Sequence, residues 1–431
     1  MEATTTSHRQ SARPYYCEGA GVSGDILFLA HRLPFPPDRG DKIRSHHILK
    51  ALAQIAPVHV GCLAEDERDF AHQHELIELA ASFCMPRGSK SLLLAGCEAI
   101  VRREPVSFSA FRSPDLHDWV RKALERENIG AIYVFSGQMA QYVPDDWAGR
   151  LIVDLVDVDS AKFEAYASHG LGPRALIDAR EWRMLRKIEA DLAARADATL
   201  LVSEAEADLL RSRVPRGRNI RALSNGIDCN HFDPASVTAE SFLASDGPHY
   251  VFTGQMDYAP NIDAVSRMTQ AIMPQIRRFL PDAQFHIVGR APNRAVQALN
   301  GQNGTSVVGE VPDTRPWLAG ADVVVAPLTI ARGVQNKVIE AMAMARPVIV
   351  SPDAATGIPA RSNQHFVIAE DDSAFVAKLL RLAEETSAAK ELGTAARQFV
   401  VDHMGWPAML ADLPKLMGVS ASEKQAERDA A

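Results

Sequence analysis

The sequence has few cysteines for its length, and they form none of the pairs that a metal or disulfide site requires. Five thiols are spread over 431 residues, at positions 17, 62, 84, 97 and 229. No Cys-x-x-Cys pair occurs, which argues against a zinc site, and an odd number of distant cysteines does not form a disulfide framework. We expect free thiols in a reducing cytoplasm.

Long apolar runs and a basic excess are also missing. Residues 1–24 are polar and lack the apolar core of a signal peptide, so we predict a disordered N-terminal tail. No window of about 18 uncharged apolar residues occurs, so no membrane-spanning helix is predicted. The 46 basic residues against 54 acidic ones give a net charge of −8, which argues against a general nucleic-acid binder. A small anionic ligand remains compatible, because a few local arginines or lysines suffice to bind it.

What the chain does have is an alternation of short apolar runs and helical patterns in both halves. The runs typical of buried strands lie at residues 25–30, 58–63, 131–135, 151–155, 198–202, 249–253, 284–288, 305–308, 322–326 and 348–351. At this length two domains of roughly 200 residues are expected. The order predicts two parallel-sheet α/β domains facing each other across a cleft. We predict domains at residues 25–235 and 236–400, followed by a helix that crosses back and a disordered tail at 401–431.

The most informative segment is residues 331–345, ARGVQNKVIEAMAMA. It lies between the apolar runs 321–328 and 347–351, an order that aims a helix N-terminus at whatever binds outside the strand ends. An apolar stripe consists of Val338, Ala341, Met342 and Ala345. The opposite face has the same spacing, in Gly333, Asn336, Lys337 and Glu340. Spacing alone is equally consistent with an ordinary amphipathic helix and with a phosphate and sugar clamp.

Several ordered segments resemble the family 4 glycosyltransferases. The segments are SNGID at 224–228, TGQMDYAPN at 253–261, FHIVGR at 285–290, VVGEVPD at 307–313, ADVVVAPL at 321–328 and EAMAMARPVIVS at 340–351. In detail, HRLPFPPDRGDKIRSHHIL, TGQMDYAPN and ARGVQNK are most similar to bacterial sugar transferases linked to exosortase/PEP-CTERM exopolysaccharide systems. The resemblance covers roughly residues 25–415.

The resemblance implies a GT-B fold, in which two Rossmann-like domains bind the acceptor and a nucleotide-activated sugar. It implies a hexosyltransferase that retains the anomeric configuration and needs neither a divalent metal nor a cofactor. The expected partners are a nucleoside-diphosphate sugar and a saccharide or polyprenyl-linked acceptor, with peripheral contact at the inner face of the membrane. Residues 31–44 and 90–103 are candidates for a basic, apolar membrane patch, although a buried helix explains 90–103 equally well.

Within residues 331–345, one position matches the family's motif and another departs from it. Glu340 matches the second glutamate of the family's Glu-x7-Glu motif, which is expected to bind the ribose hydroxyls. Arg332 stands in place of the first glutamate, and Gln255 and Pro260 replace the usual pyrophosphate-binding Arg and Lys. We therefore expect Arg332 and Lys337 to neutralise the leaving group, with help from Arg290.

The remaining assignments are less specific. The predicted donor-binding residues are Gly40, Gly254, Arg290, Val311, Arg332, Gly333, Asn336, Lys337 and Glu340. Asp157 is the predicted catalytic partner of Arg332 and Lys337 on the acceptor side, although it is equally well placed to cap a helix. Asp41, Lys42 and Arg44 are lesser site candidates, because a charged first helical turn is usually just solvated. We interpret His31, His46 and His47 as surface or packing residues.

Two other functions compete with sugar transfer. A nicotinamide oxidoreductase would share the α/β alternation, but no Gly-x-Gly-x-x-Gly follows any predicted strand. A catalytically idle GT-B protein with an assembly or regulatory role is the second alternative, because of the altered donor motif.

Overall fold

The computed structural model describes residues 24–88, 90–169, 172–241, 246–331 and 333–419. They form two compact units. The first runs to Asn225 and also takes in the residues from Met409 on, and the second is Gly226–Ala408. The predicted tails at 1–24 and after 419 lie outside the described residues, apart from Gly24. The domain boundary expected at residue 235 stays a prediction. In the structure, the residue contacts separate the two compact units after Asn225.

The first unit is built on a parallel sheet of seven strands. The strands are β1 (Asp25–Ala30), β2 (Val58–Cys62), β3 (Ser82–Cys84), β4 (Ile129–Phe135), β5 (Arg150–Val156), β6 (Ala198–Leu201) and β7 (Ile220–Ala222). Their order is β3-β2-β1-β4-β5-β6-β7, so the chain winds outward from β1 first to one side and then to the other. The strands are almost wholly apolar because helices cover both faces of a parallel sheet.

Within the residues that the structure describes, nine helices connect these strands. They are α1 (Gly40–Ala53), α2 (Glu67–Ala71), α3 (Gln73–Leu79), α4 (Leu92–Arg102), α5 (Val106–Ala110), α6 (Pro114–Arg126), α7 (Asp159–His169), α8 (Pro173–Arg195) and α9 (Glu204–Arg213), with a 3₁₀ turn at Gly137–Tyr142.

The second unit repeats the architecture with six parallel strands. They are β8 (His249–Thr253), β9 (Gln284–Val288), β10 (Thr305–Gly309), β11 (Val323–Ala326), β12 (Val348–Val350) and β13 (Val367–Ile368), in the order β10-β9-β8-β11-β12-β13. Both sheets are therefore doubly wound, which confirms the predicted α/β fold class with a parallel sheet in each half.

The helices of the second unit and the chain end complete the fold. They are α10 (Ala259–Arg267), α11 (Met273–Ile276), α12 (Arg294–Gln297), α13 (Arg315–Gly320), α14 (Asn336–Ala343), α15 (Pro352–Ala355), α16 (Asp372–Glu384), α17 (Thr386–His403), α18 (Trp406–Met409) and α19 (Leu413–Leu416). A π-helical turn, Met268–Ile272, joins α10 to α11, and Pro234–Ser236 forms a 3₁₀ turn. Across the described ranges, none of the helices has the length and apolarity needed to span a bilayer.

The interpretation of the first turn of α1 as solvated is wrong. Lys42 is 6% exposed and Arg44 1% exposed. Lys42 Nζ lies 2.9 Å from Asp69 Oδ1, and the guanidinium of Arg44 contacts the carboxylate of Asp154. These partners lie 27 and 110 positions away along the chain, so the local sequence pattern contains no sign of them.

Candidate functional site

The second sheet offers a ligand position where its strand order reverses. The chain passes from β8 outward to β9 and β10, and then returns to β11 on the other side of β8. Ligands of open α/β sheets bind outside the carboxyl ends of the strands at such a switch point. Here the loops after β8 and β11 lead into α10 and α14, which brings the TGQMDYAPN and ARGVQNK segments to the same edge of the sheet.

Helix α14 begins later than the spacing of its residues indicates. Its first residue is Asn336, and Gly333 lies before it with a φ of +69°, so the predicted position of Gly333 on the helical face is wrong. The apolar stripe is confirmed for Val338, Ala341 and Met342, all of which are fully buried. Gly333 lies in the turn before α14, where the left-handed backbone would be strained for other residues.

The start of α14 is open to an anion. The side chain of Gln335, the residue before the helix, donates to the carbonyl of Gly333 at 3.1 Å. Gln335 makes no capping hydrogen bond to the first turn. The amide groups of an uncapped first turn and the helix dipole together favour a negative group at this position.

Lys337 is held at this edge by a neutral partner. Its Nζ donates to Asn261 Oδ1 at 2.5 Å and lies 4.3 Å from the centre of the Phe252 ring. Asn261 is 5% exposed, and its Nδ2 donates to the carbonyl of Gln255 at 2.8 Å. Burial lowers the pKa of Lys337 to about 8, against the opposing effect of Glu340. The lysine is thus a cation that burial destabilises and that a bound anion would stabilise.

Glu340 lies one helical turn beyond Lys337 and is half-buried. Burial raises the pKa of its carboxyl group, and Lys337 opposes this shift. Among the residues that the structure describes, none donates a hydrogen bond to this carboxylate. A half-buried carboxylate with free acceptor positions is unusual, and two neighbouring hydroxyl groups of a ligand would satisfy it.

Two glycines let the backbone come close to these side chains. A Cβ at Gly254 would lie 2.9 Å from Asn261 Nδ2 and 3.1 Å from Lys337 Nζ. A Cβ at Gly289 would lie 1.7 Å from the carbonyl oxygen of Gly254. Arg290 follows directly, and its Nη2 donates to Gln255 Oε1 at 2.9 Å, so the loops after β8 and β9 are joined.

The structure brings together several of the predicted donor-binding residues. Gly254 and Lys337 are adjacent, Glu340 lies on the same helix, and Arg290 reaches the same loop through Gln255. Asn336 is exposed at the start of α14, and Val311 packs partly against the core of the second unit. Arg332 lies outside the described residues. Sequence reasoning missed Asn261, although the Pro-Asn pair at the start of α10 was part of a segment already singled out.

Two of the predicted site residues, Gly40 and Asp157, lie in the first unit. Gly40 begins α1, and a Cβ built there would meet nothing within 4 Å. Asp157 follows β5, and its Oδ2 lies 2.8 Å from Lys162 Nζ, which also contacts Asp159 at 3.1 Å. In this structure the carboxylate of Asp157 is paired with Lys162. The catalytic role of Asp157 stays a prediction.

The histidines of the first unit include one that is well buried. The ring of His31 is 5.8 Å from that of Phe135 in a stacked arrangement, and its Nε2 lies 3.3 Å from Asp41 Oδ2. Burial lowers the pKa of His31. These contacts describe a packing residue. The rings of His46 and His47 meet edge to face at 5.1 Å.

Within the described ranges, one group of side chains has the donor atoms for a metal ion: Asp25, His59 and Glu127. His59 Nε2 lies 3.0 Å from Asp25 Oδ2, and His59 Nδ1 lies 2.8 Å from the hydroxyl of Ser82. Both ring nitrogens thus have protein partners. The group lies at the amino ends of β1 and β2, whereas ligands of such sheets bind at the carboxyl ends. We interpret it as a hydrogen-bonded connection between strands.

Part of the chain matches a known protein family. Residues 247–385 match the family described as glycosyl transferases group 1. The matched residues all lie in the second unit. The match includes β8 through α16, and with them Gly254, Asn261, Lys337 and Glu340. A search of curated proteins found no match to the sequence.

Solved structures share the fold of the whole chain. Sucrose-phosphate synthase from Thermosynechococcus elongatus is 15% identical, with a TM-score of 0.56 over 95% of this chain and 100% of that one. HepE from Anabaena, in complex with UDP-glucose, is 13% identical, with a TM-score of 0.54 over 92% and 100%. WaaG, a glycosyltransferase involved in lipopolysaccharide biosynthesis, is 13% identical, with a TM-score of 0.53 over 92% and 100%. The two-domain GT-B fold is confirmed, and the findings support a glycosyltransferase of the group 1, GT-B type.

Proposed function

We propose that the chain is a retaining glycosyltransferase that moves a sugar from a nucleoside-diphosphate sugar to a saccharide or lipid-linked saccharide. One observation carries this proposal. Lys337, whose charge is destabilised by burial, and Glu340, whose half-buried carboxylate lacks a described donor, lie one turn apart on α14 at the switch point of the second sheet. A nucleoside diphosphate carries the two groups that would satisfy them, a diphosphate and a ribose diol.

The diphosphate would lie at the start of α14. The open first turn and Lys337 supply partial and full positive charge, and both stabilise the leaving group as its charge develops during transfer. Arg290 and Arg332 would add to this charge, which is our proposed compensation for Gln255 and Pro260. This arrangement needs neither a divalent metal nor a cofactor.

The ribose would lie against Glu340. A carboxylate accepts two hydrogen bonds from neighbouring hydroxyl groups, and none of the described residues donates to either oxygen of Glu340. Gly254 would leave the space in which the donor approaches the backbone. In support, HepE, which shares the fold, has been seen with UDP-glucose.

The acceptor belongs to the first unit in this proposal. We assign acceptor binding to the first unit, with Asp157 orienting the acceptor hydroxyl or stabilising positive charge on the sugar. The assignment of Gly40 to donor binding rests on its match to the family's glycine. Membership of family 4, transfer of a hexose, a role in exopolysaccharide biosynthesis and a cytoplasmic location beside the inner membrane rest on the quoted motifs. The segments HRLPFPPDRGDKIRSHHIL and ARGVQNK support the narrower link to exosortase systems.

Ligand binding tests the donor site first. Thermal unfolding would be followed with UDP, GDP, ADP and their glucose, galactose and mannose derivatives, since a ligand that binds the native state raises its melting temperature. We expect one base to stabilise the protein clearly more than the others. Glu340→Gln should lower affinity for that nucleotide about tenfold and for its 2′-deoxy analogue much less. The exposed Glu384→Gln is the control, and equal losses for both nucleotides would contradict the ribose assignment.

Turnover tests the catalytic assignments. Arg332→Ala and Lys337→Ala should each abolish most sugar transfer and donor hydrolysis while the protein stays folded, whereas Lys390→Ala on the surface of α17 should not. Asp157→Asn should keep donor affinity and lose turnover. Near-normal rates in both cation variants would defeat the compensation hypothesis. Product NMR shows whether the anomeric configuration is retained.

The same assays decide between the alternatives. An idle GT-B protein is favoured by one observation, Arg332 in place of the first glutamate, and it would bind the nucleotide without hydrolysis or transfer. A nicotinamide oxidoreductase would be stabilised by NAD or NADP instead. The turn after β8 begins with Gly254-Gln255 and contains no second glycine before α10, which argues against a dinucleotide at that turn.

A further inference from the structure

Helix α4 of the first unit exposes aliphatic side chains on one side and buries small residues on the other. Leu93, Leu94, Ile100 and Val101 are 84%, 67%, 69% and 82% exposed. The inward side consists of Ala95 and Ala99, both fully buried. A surface helix normally has the reverse arrangement. The alternative that a buried helix explains residues 90–103 is therefore wrong.

A neighbouring helix extends this apolar surface. Arg180 of α8 donates from Nη2 to the carbonyls of Ala99 and Glu104, each at 2.9 Å, and so ties α8 to the end of α4. Leu176 and Ile177 precede Arg180 by four and three positions, hence on its side of the helix, and are 75% and 54% exposed. We call the exposed apolar side chains of α4 and α8 the α4–α8 patch; its members are Leu93, Leu94, Ile100, Val101, Leu176 and Ile177.

The exposed charges around the α4–α8 patch are positive. Arg102 and Arg103 end α4, and Arg174 lies in the first turn of α8, all three exposed. Among the described residues, Arg103 and Arg174 have no ion-pair partner. The acidic groups nearby are occupied: Glu98 contacts Lys90 at 2.6 Å and Arg102 at 3.0 Å, and Glu104 contacts Arg112. A chain of net charge −8 thus presents a cationic rim beside the exposed apolar side chains of this patch.

We propose that the α4–α8 patch binds the surface of a phospholipid bilayer that contains anionic lipids. The aliphatic side chains would enter the boundary between headgroups and acyl chains, with α4 lying in the plane of the membrane. The arginines would contact lipid phosphates, with their stems along the apolar surface. This inference goes beyond the proposed reaction and does not depend on it.

A second copy of the chain fits the patch less well than a membrane does. The commonest contact between identical chains is two-fold symmetric and places the same surface on itself. Arg102, Arg103 and Arg174 would then face their own counterparts, and like charges at a contact oppose association. An anionic lipid surface satisfies both the apolar area and the charges of Arg103 and Arg174, which have no ion-pair partner among the described residues.

Vesicle flotation without nucleotide tests the proposal. We expect the full chain to bind vesicles of phosphatidylcholine mixed with phosphatidylglycerol, to bind phosphatidylcholine alone much more weakly, and to be released by salt. The double variant Leu93→Gln, Val101→Gln should weaken binding at least about tenfold, because two aliphatic side chains no longer leave water. Arg103→Asn and Arg174→Gln should each weaken binding about fivefold, and on anionic vesicles only.

The matched control is Phe279→Gln, which removes a 70% exposed apolar side chain from the second unit and should leave binding unchanged. All five substituted side chains are exposed, so folding should be preserved, and unchanged nucleotide binding would confirm it. Cys97, exposed in the middle of α4, gives a second readout. With the other cysteines replaced by serine, a polarity-sensitive fluorophore on Cys97 should shift to shorter wavelength on adding anionic vesicles, and one on Phe279→Cys, in a chain with Cys97 also replaced, should not.

Three results would overturn the proposal. One is no binding to anionic vesicles, the second is equal binding by the wild type and the Leu93→Gln, Val101→Gln variant, and the third is a stable dimer in sedimentation that the same double variant dissociates.

Discussion

Arg44 of the first unit and Lys337 of the second are both shielded from water, and they differ in what surrounds them. Arg44 is 1% exposed and meets a carboxylate: its Nη2 lies 2.9 Å from Asp154 Oδ2, and its Nη1 donates to the carbonyl of Leu223 at 2.6 Å. Asp154 also accepts from Tyr133 at 3.0 Å. Lys337 has instead a neutral amide, Asn261, and the face of an aromatic ring.

The difference separates a structural charge from one that is available to a ligand. In the first unit each guanidinium nitrogen of Arg44 has an acceptor, and adding an anion would only compete with Asp154. In the second unit the nearest carboxylate, Glu340, makes no described hydrogen bond with Lys337, and burial depresses the lysine's pKa. Buried charges are stable when they are paired and hydrogen-bonded. Arg44 has such a counter-charge in Asp154, whereas Lys337 is hydrogen-bonded to a neutral amide only.

Breaking the paired charge should have the largest effect. Arg44→Met leaves Asp154 fully buried without its counter-charge, which should lower the free energy of unfolding by about 3–5 kcal/mol. Guanidinium or urea denaturation measures the loss. We expect little change in nucleotide affinity per folded molecule, because Arg44 belongs to the structure of the first unit.

A second substitution shows whether the loss comes from the unpaired carboxylate. Adding Asp154→Asn to Arg44→Met should restore part of the stability, since the neutral amide costs less to bury. If the double variant is as unstable as the sum of both single variants, the two residues do not act as a pair.

Removing the charge of Lys337 should change the free energy of unfolding less than Arg44→Met does, and should increase it. The folded-state pKa of Lys337 is about 8, below the ordinary value of roughly 10.4. Its charge therefore destabilises the fold fully below pH 8, and the cost disappears as the pH rises toward the unfolded value. Lys337→Met should raise the free energy of unfolding by about 1–3 kcal/mol at pH 7, while nucleotide affinity falls about tenfold to hundredfold.

Thermal unfolding at pH 7 and at pH 10 checks this sign. The advantage of Lys337→Met over the wild type should be clear at the lower pH and nearly absent at the higher one. A variant that is less stable than the wild type at pH 7 would mean that the contacts with Asn261 and Phe252 outweigh the cost of burying the charge.

The sequence predicted the fold well where the signal was local. All ten apolar runs became strands within a residue or two, because fully buried parallel strands need continuous apolar stretches. The three strands that it did not predict, β3, β7 and β13, have three, three and two residues. Segments this short at sheet edges have no periodic pattern to detect.

The site was predictable in outline and not in its contacts. Glu340 and Lys337 follow from motif and spacing, whereas Asn261 becomes a partner of Lys337 only when α10 and α14 meet across 76 positions. Helical spacing placed Gly333 on α14 because periodicity does not mark where a helix starts. Lys42 and Arg44 looked solvated for the same reason that Asn261 was missed: their partners are distant in sequence.

The smallest expected effect is on the pH dependence of nucleotide affinity, which distinguishes Lys337 from Arg44. A diphosphate beside Lys337 would favour its charged form and raise its pKa above the value of about 8 in the free protein. Nucleotide affinity should therefore be nearly constant below pH 8 and then fall by at most about tenfold per pH unit, as the free lysine loses its proton.

Isothermal titration calorimetry of the best nucleotide from pH 7 to pH 10 measures this dependence, and Lys337→Arg is its control. Arginine stays charged in this range, so the decline should disappear in that variant even if its affinity is lower at pH 7. A decline of equal steepness in Lys337→Arg would assign the titration to another group. Lys337 would then resemble Arg44 more than its surroundings indicate, as a charge whose role lies in the fold.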